Sequence, residues 1–364
     1  MKVVITHDWL VGFRGGERVL EAIVELFPNA PIYTLIHKPG TTSKIIESHE
    51  IVTSKLNKFP NIFENYRKTL PIMPMIASNM KITHEADLVI SSSHCVIKGV
   101  PKPKNSVHIS YVHSPMRYIY DQFDAYFGKG VAPLYQRKLM QLIRPYLQNW
   151  DKKSNSNVDH FIANADFVRK RINDYYNRDA TVINPFVDIE EFKKYKIDET
   201  KKDYFVVLSA FAPNKRVDLA VKAFNKLGIK LKIIGSGQQE AMLKAMSKPN
   251  IEFLGNIPRA DVIEILSGAR ALIFPGIEDF GITPLEALLV GTPVIAYSAG
   301  GVLETLNNKV ADFFYELNED ALISAIEQFQ DSRFKRADLI SRAHDFSKEK
   351  FQKKLLDFIA QKTK

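Results

Sequence analysis

Cysteine is almost missing from this chain of 364 residues. Cys95 is its sole thiol, so no disulfide can close within it, which fits a reducing cytoplasm. Apolar runs long enough to span a bilayer, about 18 residues or more, are missing as well. The opening MKVVITHDWLV places His7 and Asp8 where an export signal stays apolar, so a cytoplasmic location is expected. No Cys/His cluster has zinc spacing and no Asp-x-Asp pair follows a strand-like run, so no metal or other cofactor is expected. The G-x-S-x-G elbow of a serine hydrolase and the G-x-G-x-x-G dinucleotide fingerprint are both absent, and no zinc-finger or RNP pattern speaks for nucleic acid. What remains is 45% hydrophobic and 25% charged, an ordinary globular composition, long enough for roughly two domains with their own cores.

Acidic charge is scarce in one half only. The net +9 divides into +8 for residues 1–180 and +1 for residues 181–364. A basic half suits a phosphorylated substrate or the anionic inner face of a membrane. Residues 65–81, NYRKTLPIMPMIASNMK, mix cations with Leu, Ile and Met and could lie in a membrane interface, although Pro71 and Pro74 break any long amphipathic helix and favour a buried helix and its loop.

Short β-rich runs alternate with helical patterns twice over. VVITH, IYTLI, LVISSS, HISYVH and FIANA occupy the first half, and FVVLSA, LKIIG, IEFLG, ALIFP and PVIAY the second. Such alternation predicts an α/β protein with two doubly wound parallel sheets. The polar stretch after Phe192 reads as a linker, which puts the domains at 1–195 and 196–345. Residues 346–364 form an amphipathic helix, with Phe351, Leu355, Phe358 and Ile359 on one face, that can pack back on the first domain. Ligands of open α/β sheets bind beyond the carboxyl ends of the strands, so two such domains face to face would hold a substrate in the cleft between them.

The run PGIEDFGITPLEALLVGTPVIAY carries the strongest chemistry. Glu278 and Glu286 flank the passage from loop to a helix beginning at Pro284, where carboxylates can hold sugar hydroxyls and free N–H groups suit a phosphate. Polyol and phosphate together describe a nucleotide sugar. The alternative is purely structural, because Thr283 and Glu286 have the spacing of a capping box. Lys215 and Arg216, two cations opening a helix, oppose its dipole unless an anion lies there. Gly15 and Gly16 precede a helix after the first strand, His113 ends a strand, and Gly235 and Gly237 turn the chain after another. Each of these can be a site element or merely a turn or a core residue.

Several segments resemble retaining glycosyltransferases of the GT-B fold, family 4, and are similar to the subgroup of bacterial mannosyltransferases that build O-antigen-type surface polysaccharide. They are THDWLVGFRGGERVLEAI, SSSHCVIKGV, YVHSPMRYIYD, FIANADFVRKRI, VINPFVD, NKRVDLAVKAF, IIGSGQ and EDFGITPLEALLVGTPVIAYSAGG. The resemblance implies a hexose, mannose from GDP-mannose first, passed with retention to a hydroxyl of a lipid-linked saccharide at the cytoplasmic membrane face. His113, Lys215 and Glu278 would be catalytic. Arg216, Gly235, Gly237, Phe280, Gly281, Ile282, Thr283 and Glu286 would bind the donor, while Gly15, Gly16 and Arg117 would line the acceptor side. The same resemblance leaves open a UDP-hexose donor, and a phosphorylase or epimerase on a similar frame. One departure stands out: such enzymes usually follow the serine before the lysine loop with arginine, and here Ser209 is followed by Ala210. That departure also admits a non-catalytic nucleotide-sugar-binding module, unless Arg216 supplies the missing charge.

Overall fold

In a computed structural model, residues 1–129, 131–197, 200 and 202–363 are described; Asp198, Glu199 and Lys201 of the expected linker and Lys364 of the expected last helix lie outside them. The chain forms two compact units. One comprises Met1–Asn184 with the last segment from Phe351, the other Pro185–Lys350.

Seven strands make the sheet of the first unit: β1 (Val3–His7), β2 (Ile32–Thr34), β3 (Ile51–Thr53), β4 (Leu88–Ser93), β5 (Val107–Val112), β6 (His160–Ala163) and β7 (Ala180–Val182). All pair in parallel in the order β3-β2-β1-β4-β5-β6-β7. The order reverses between β1 and β4, the place where open α/β sheets part their loops and receive ligands. The β4 strand is buried at every position, its apolar first half covered on both faces as a central parallel strand requires.

The second unit repeats the plan with six strands: β8 (Phe205–Leu208), β9 (Leu231–Ile234), β10 (Ile251–Gly255), β11 (Leu272–Phe274), β12 (Val294–Tyr297) and β13 (Ala311–Phe314). Their order is β10-β9-β8-β11-β12-β13, with the switch between β8 and β11. Helix Val217–Leu227 spans the VDLAVKAFNKL run and ends at Gly228 in the left-handed conformation, as a helix terminator should.

The last helix runs Lys348–Lys362 and buries Phe351, Leu355, Phe358 and Ile359 in the first unit. Phe351 meets the Tyr111 ring edge-on at 5.8 Å, and the Gln352 amide donates to the Ala22 carbonyl at 3.0 Å. The segment before it belongs to the second unit, where the Val187 N–H donates to the Phe346 carbonyl. Among the described residues no helix is long and apolar enough to cross a membrane.

Candidate functional site

In the second unit, backbone contacts bring the lysine loop and the acidic loop together. After β8 the chain makes a tight turn, Pro213–Lys215, and Arg216 takes a left-handed φ of 50° before the next helix begins. The Ile277 N–H donates to the Asn214 carbonyl at 3.2 Å. Gly276 presses so closely on this turn that a Cβ there would lie 2.6 Å from the Asn214 carbonyl oxygen and 2.7 Å from the Lys215 Cα, so only glycine fits. The contact delivers the Lys215 ammonium onto the Glu278 carboxylate as a largely shielded ion pair. Behind Glu278, the Gly301 N–H donates to its carbonyl at 2.9 Å. Phe280 is buried against Phe346, their ring centroids 5.7 Å apart, so its side chain anchors the loop.

The helix expected from Pro284 begins two residues earlier, spanning Ile282–Leu289 with Gly281 as its N-cap at φ 86°. Pro284 is therefore its third residue, still within the first turn, where backbone N–H groups have no partner inside the helix. Thr283 is half-buried on that turn. No side chain caps this helix, so the capping-box account of Thr283 and Glu286 does not hold. Glu286 accepts from the Arg259 guanidinium at 2.6 Å, and Arg259 also reaches Glu191 at 3.2 Å and lies over the Phe192 ring. Burial opposes the Arg259 charge, but Glu286 and Glu191 outweigh it and raise its pKa. One arginine bond leaves a carboxylate with further lone pairs for hydroxyls. Neither Arg259 nor Glu191 has a local sequence signal, because both reach Glu286 only through the tertiary fold.

Arg216 is turned onto its own helix, with Nε 3.0 Å from Asp218 Oδ1. Gly235 and Gly237 lie against the backbone of Ser209 and Phe211, where the Phe211 N–H donates to the Ser236 carbonyl at 2.9 Å. Ala210 is exposed beside them.

In the first unit, the carboxyl ends of β1, β4 and β5 carry a chain of polar groups that sequence reading reached only at His113. The Ser92 hydroxyl stands 2.8 Å from His113 Nε2 and 3.1 Å from His7 Nδ1, so it donates to one ring and accepts from the other. His7 Nε2 lies 3.9 Å from Glu17 Oε1, beyond hydrogen-bond reach, and Glu17 in turn accepts from the Arg14 N–H. Asp8, wholly buried, accepts four backbone N–H groups, those of His94, Cys95, Val96 and Ile97, at 2.7–2.9 Å. Gly15 opens the helix Gly15–Val24, and Gly16 sits over both rings, a Cβ there lying 3.9 Å from His113 Nε2. Arg117 stands on the turn Arg117–Ile119, close enough for its charge to disfavour protonation of His94. The signal for the polar chain was the sequence SSS at the end of a buried strand, where each hydroxyl needs a partner.

Burial, reinforced by the charges of His94 and His7, lowers the His113 pKa to about 3, so the ring is neutral near pH 7 and can share hydrogen bonds with a hydroxyl. Burial likewise lowers His108 to about 4. Burial alone would raise the Glu17 carboxyl, but the His7 ring beside it holds it at about 2. Both imidazoles thus bind protons less readily folded than unfolded, where 6.5 is ordinary, and stability is complete above that value and lost as pH falls toward the folded values. Glu17 extends the loss from its ordinary 4.5 downward. The melting temperature is expected to be level above about pH 7 and to fall below about pH 6.5, and replacing His113 and His108 together by Gln should flatten the first part of the fall. Thermal melts across that range decide it, and a native protein insensitive to pH there would exclude neutral buried rings.

Comparison with known proteins finds one family model and several relatives similar to parts of the chain. Residues 188–346 match the family model described as "Glycosyl transferases group 1". Over 154 residues the chain is 29% identical to a GDP-mannose-dependent monoacylated alpha-(1-6)-phosphatidylinositol monomannoside mannosyltransferase of Corynebacterium glutamicum, covering 37% of this chain and 40% of that one. It is 24% identical to the alpha-1,3/1,6-mannosyltransferase ALG2 of Homo sapiens, over 52% of this chain and 54% of the relative. The chain thus aligns with about half, or less, of the length of these relatives. Among solved structures, sucrose-phosphate synthase of Thermosynechococcus elongatus superposes with a TM-score of 0.74 at 16% identity, covering 99% of each chain. The lipopolysaccharide outer core galactosyltransferase WaaB superposes at 0.69 and 16%, over 100% of each. Residues 188–346 thus match a glycosyl transferases group 1 domain, and the two parallel-sheet units share the GT-B fold of these solved structures.

Proposed function

We propose that the protein is a retaining, metal-independent glycosyltransferase that moves a hexose, mannose from GDP-mannose first, to a hydroxyl of a lipid-linked saccharide at the cytoplasmic membrane face. The observation that carries this reading is the Lys215–Glu278 pair beside the start of the Ile282–Leu289 helix. A nucleotide sugar entering there exchanges one ion pair for two better-matched contacts. Its diphosphate takes the Lys215 ammonium and the free N–H groups of the first helical turn, and its sugar hydroxyls take Glu278. Glu286, already oriented by Arg259, receives the ribose hydroxyls, with Gly235 and Gly237 admitting the base.

Transfer with retention then follows from attack on the face that the leaving group vacates, and no protein nucleophile is required. Lys215 and the helix start stabilise the charge growing on the departing diphosphate, whose oxygen takes the acceptor's proton. In the first unit, His113, neutral and held by Ser92, is the candidate for hydrogen bonds to substrate, and Gly15, Gly16 and Arg117 are the candidates for the acceptor side. The mannosyltransferases among the relatives support the sugar, and the basic first half supports an anionic surface around the acceptor.

A panel of GDP-mannose, UDP-glucose and UDP-galactose, scored by thermal shift, tests the reading, since a ligand bound only by the folded state raises its melting temperature. GDP-mannose should give the largest rise, and product analysis should show retained anomeric configuration and transfer undiminished by EDTA. A larger rise with either UDP-hexose moves the donor assignment. No rise with any of the three removes the proposed site.

A further inference from the structure

The helix Leu134–Ser154 shows solvent a face that an ordinary surface helix would not. Tyr135, Leu139, Leu142 and Tyr146 recur at the spacing of one helical stripe, and all four are exposed, Leu142 by 78% and Tyr135 by 69%. Single exposed apolar residues need no explanation, but a continuous stripe of them marks a surface meant to be covered. Exposed Lys138, Lys152 and Lys153 accompany it. The helix has one acid, Asp151, which is wholly buried and paired with Lys98, so no acid of this helix offsets the lysines. The neighbouring helix Met73–Asn79, joined to it by the Trp150 Nε1 to Ser78 hydrogen bond of 2.8 Å, also leaves Met75 exposed.

We infer that this stripe is the surface by which the protein lies on an anionic lipid bilayer. Leucines enter the boundary between headgroups and chains, tyrosines sit at that level with their hydroxyls in water, and the lysines meet anionic headgroups. A second copy of the chain is a poorer occupant, because a two-fold contact would set the lysines of one stripe against those of the other. The bilayer assignment shifts attention from residues 65–81 to 134–154 as the main contact. It rests on the proposed transfer to a lipid-linked acceptor for its purpose alone, so it is measured without donor or acceptor.

The test is co-sedimentation of the full chain with vesicles of phosphatidylcholine alone or mixed with phosphatidylglycerol. The native protein should sediment with the mixed vesicles, less so as salt rises, and stay in solution with phosphatidylcholine. Leu139→Asn with Leu142→Asn should lower binding at least about tenfold, given what each buried leucine contributes. Lys138→Gln with Lys153→Gln should abolish the preference for phosphatidylglycerol. Thermal melts matching the native protein establish that these variants fold, and donor-induced thermal shifts in the same samples report on the transferase reading separately. Native protein that stays in solution with both vesicle types, or leucine variants that bind equally well, would overturn the inference. So would a native dimer by light scattering that the leucine variants dissociate, which would assign the stripe to a second copy.

Discussion

Lys215→Ala is expected to cut turnover about 100- to 1000-fold, the effect of removing one preorganised group that meets charge developing in a transition state. The argument starts from what else could take the lysine's place. Ala210 has no charge, and Arg216 is engaged by Asp218, with Nε at 3.0 Å and Nη2 at 3.3 Å from its carboxylate oxygens. The helix start at Ile282 supplies partial charge only. On the proposed mechanism Lys215 would then be the principal full charge for the leaving diphosphate, because Asp218 partly neutralises Arg216. The fold should survive the change, because the Lys215 and Glu278 side chains are about one-fifth exposed and Glu278 keeps access to water. Rate measurements at saturating donor check it, with Lys215→Arg as the control that keeps the charge. A rate within about threefold of the native one would remove Lys215 from the chemistry.

The same loop shows why some of the site was legible in the sequence and some was not. Glu278, Glu286 and Lys215 were readable because each follows a buried strand and adjoins a glycine or proline break, where a charged side chain has no core to serve. Arg259, Glu191, His7 and Ser92 were not, since their meaning depends on neighbours far along the chain: Ser92 touches His113 on the adjacent strand's end, and Arg259 touches Glu286 from a separate helix. Fold class followed from the central strands, whose continuous apolar runs survive any error of boundary. The strands without a clear signal are edge strands β3, β7 and β13, three or four residues long and partly exposed, so neither apolar run nor alternation can build up in them. The passage between units is a similar case. A polar composition after Phe192 suggests a linker, yet a hydrogen bond from Val187 to Phe346 already ties it into the second unit, and composition does not record it.

Asp151→Ala should destabilise the first unit by about 3–5 kcal/mol, the cost of stripping one partner from a buried ion pair. Lys98 and Asp151 have side chains 1% and 0% exposed, with Nζ 2.6 Å from Oδ1. The ammonium spends its other protons on Ser154 Oγ at 2.8 Å and the Asp151 carbonyl at 3.3 Å. The second carboxylate oxygen accepts the hydroxyls of Tyr120 and Tyr176, each at 2.9 Å. Removing the carboxylate therefore leaves an unpaired ammonium and two unpaired phenols in the interior. At roughly 2–4 °C per kcal/mol for a unit of this size, the melting temperature should fall by about 6–20 °C. A double variant, Lys98→Met with Asp151→Leu, should recover most of the loss, because two apolar groups need no partners while the phenols remain the residual cost. Denaturant melts of the two single variants and the double one measure the coupling, and single-variant losses below about 1 kcal/mol would show that water reaches the pair. The pair also has a functional consequence. It fastens the Leu134–Ser154 helix, with its exposed stripe, to the segment after β4 whose N–H groups hold Asp8, so loosening it should weaken vesicle binding and disturb the histidine chain together.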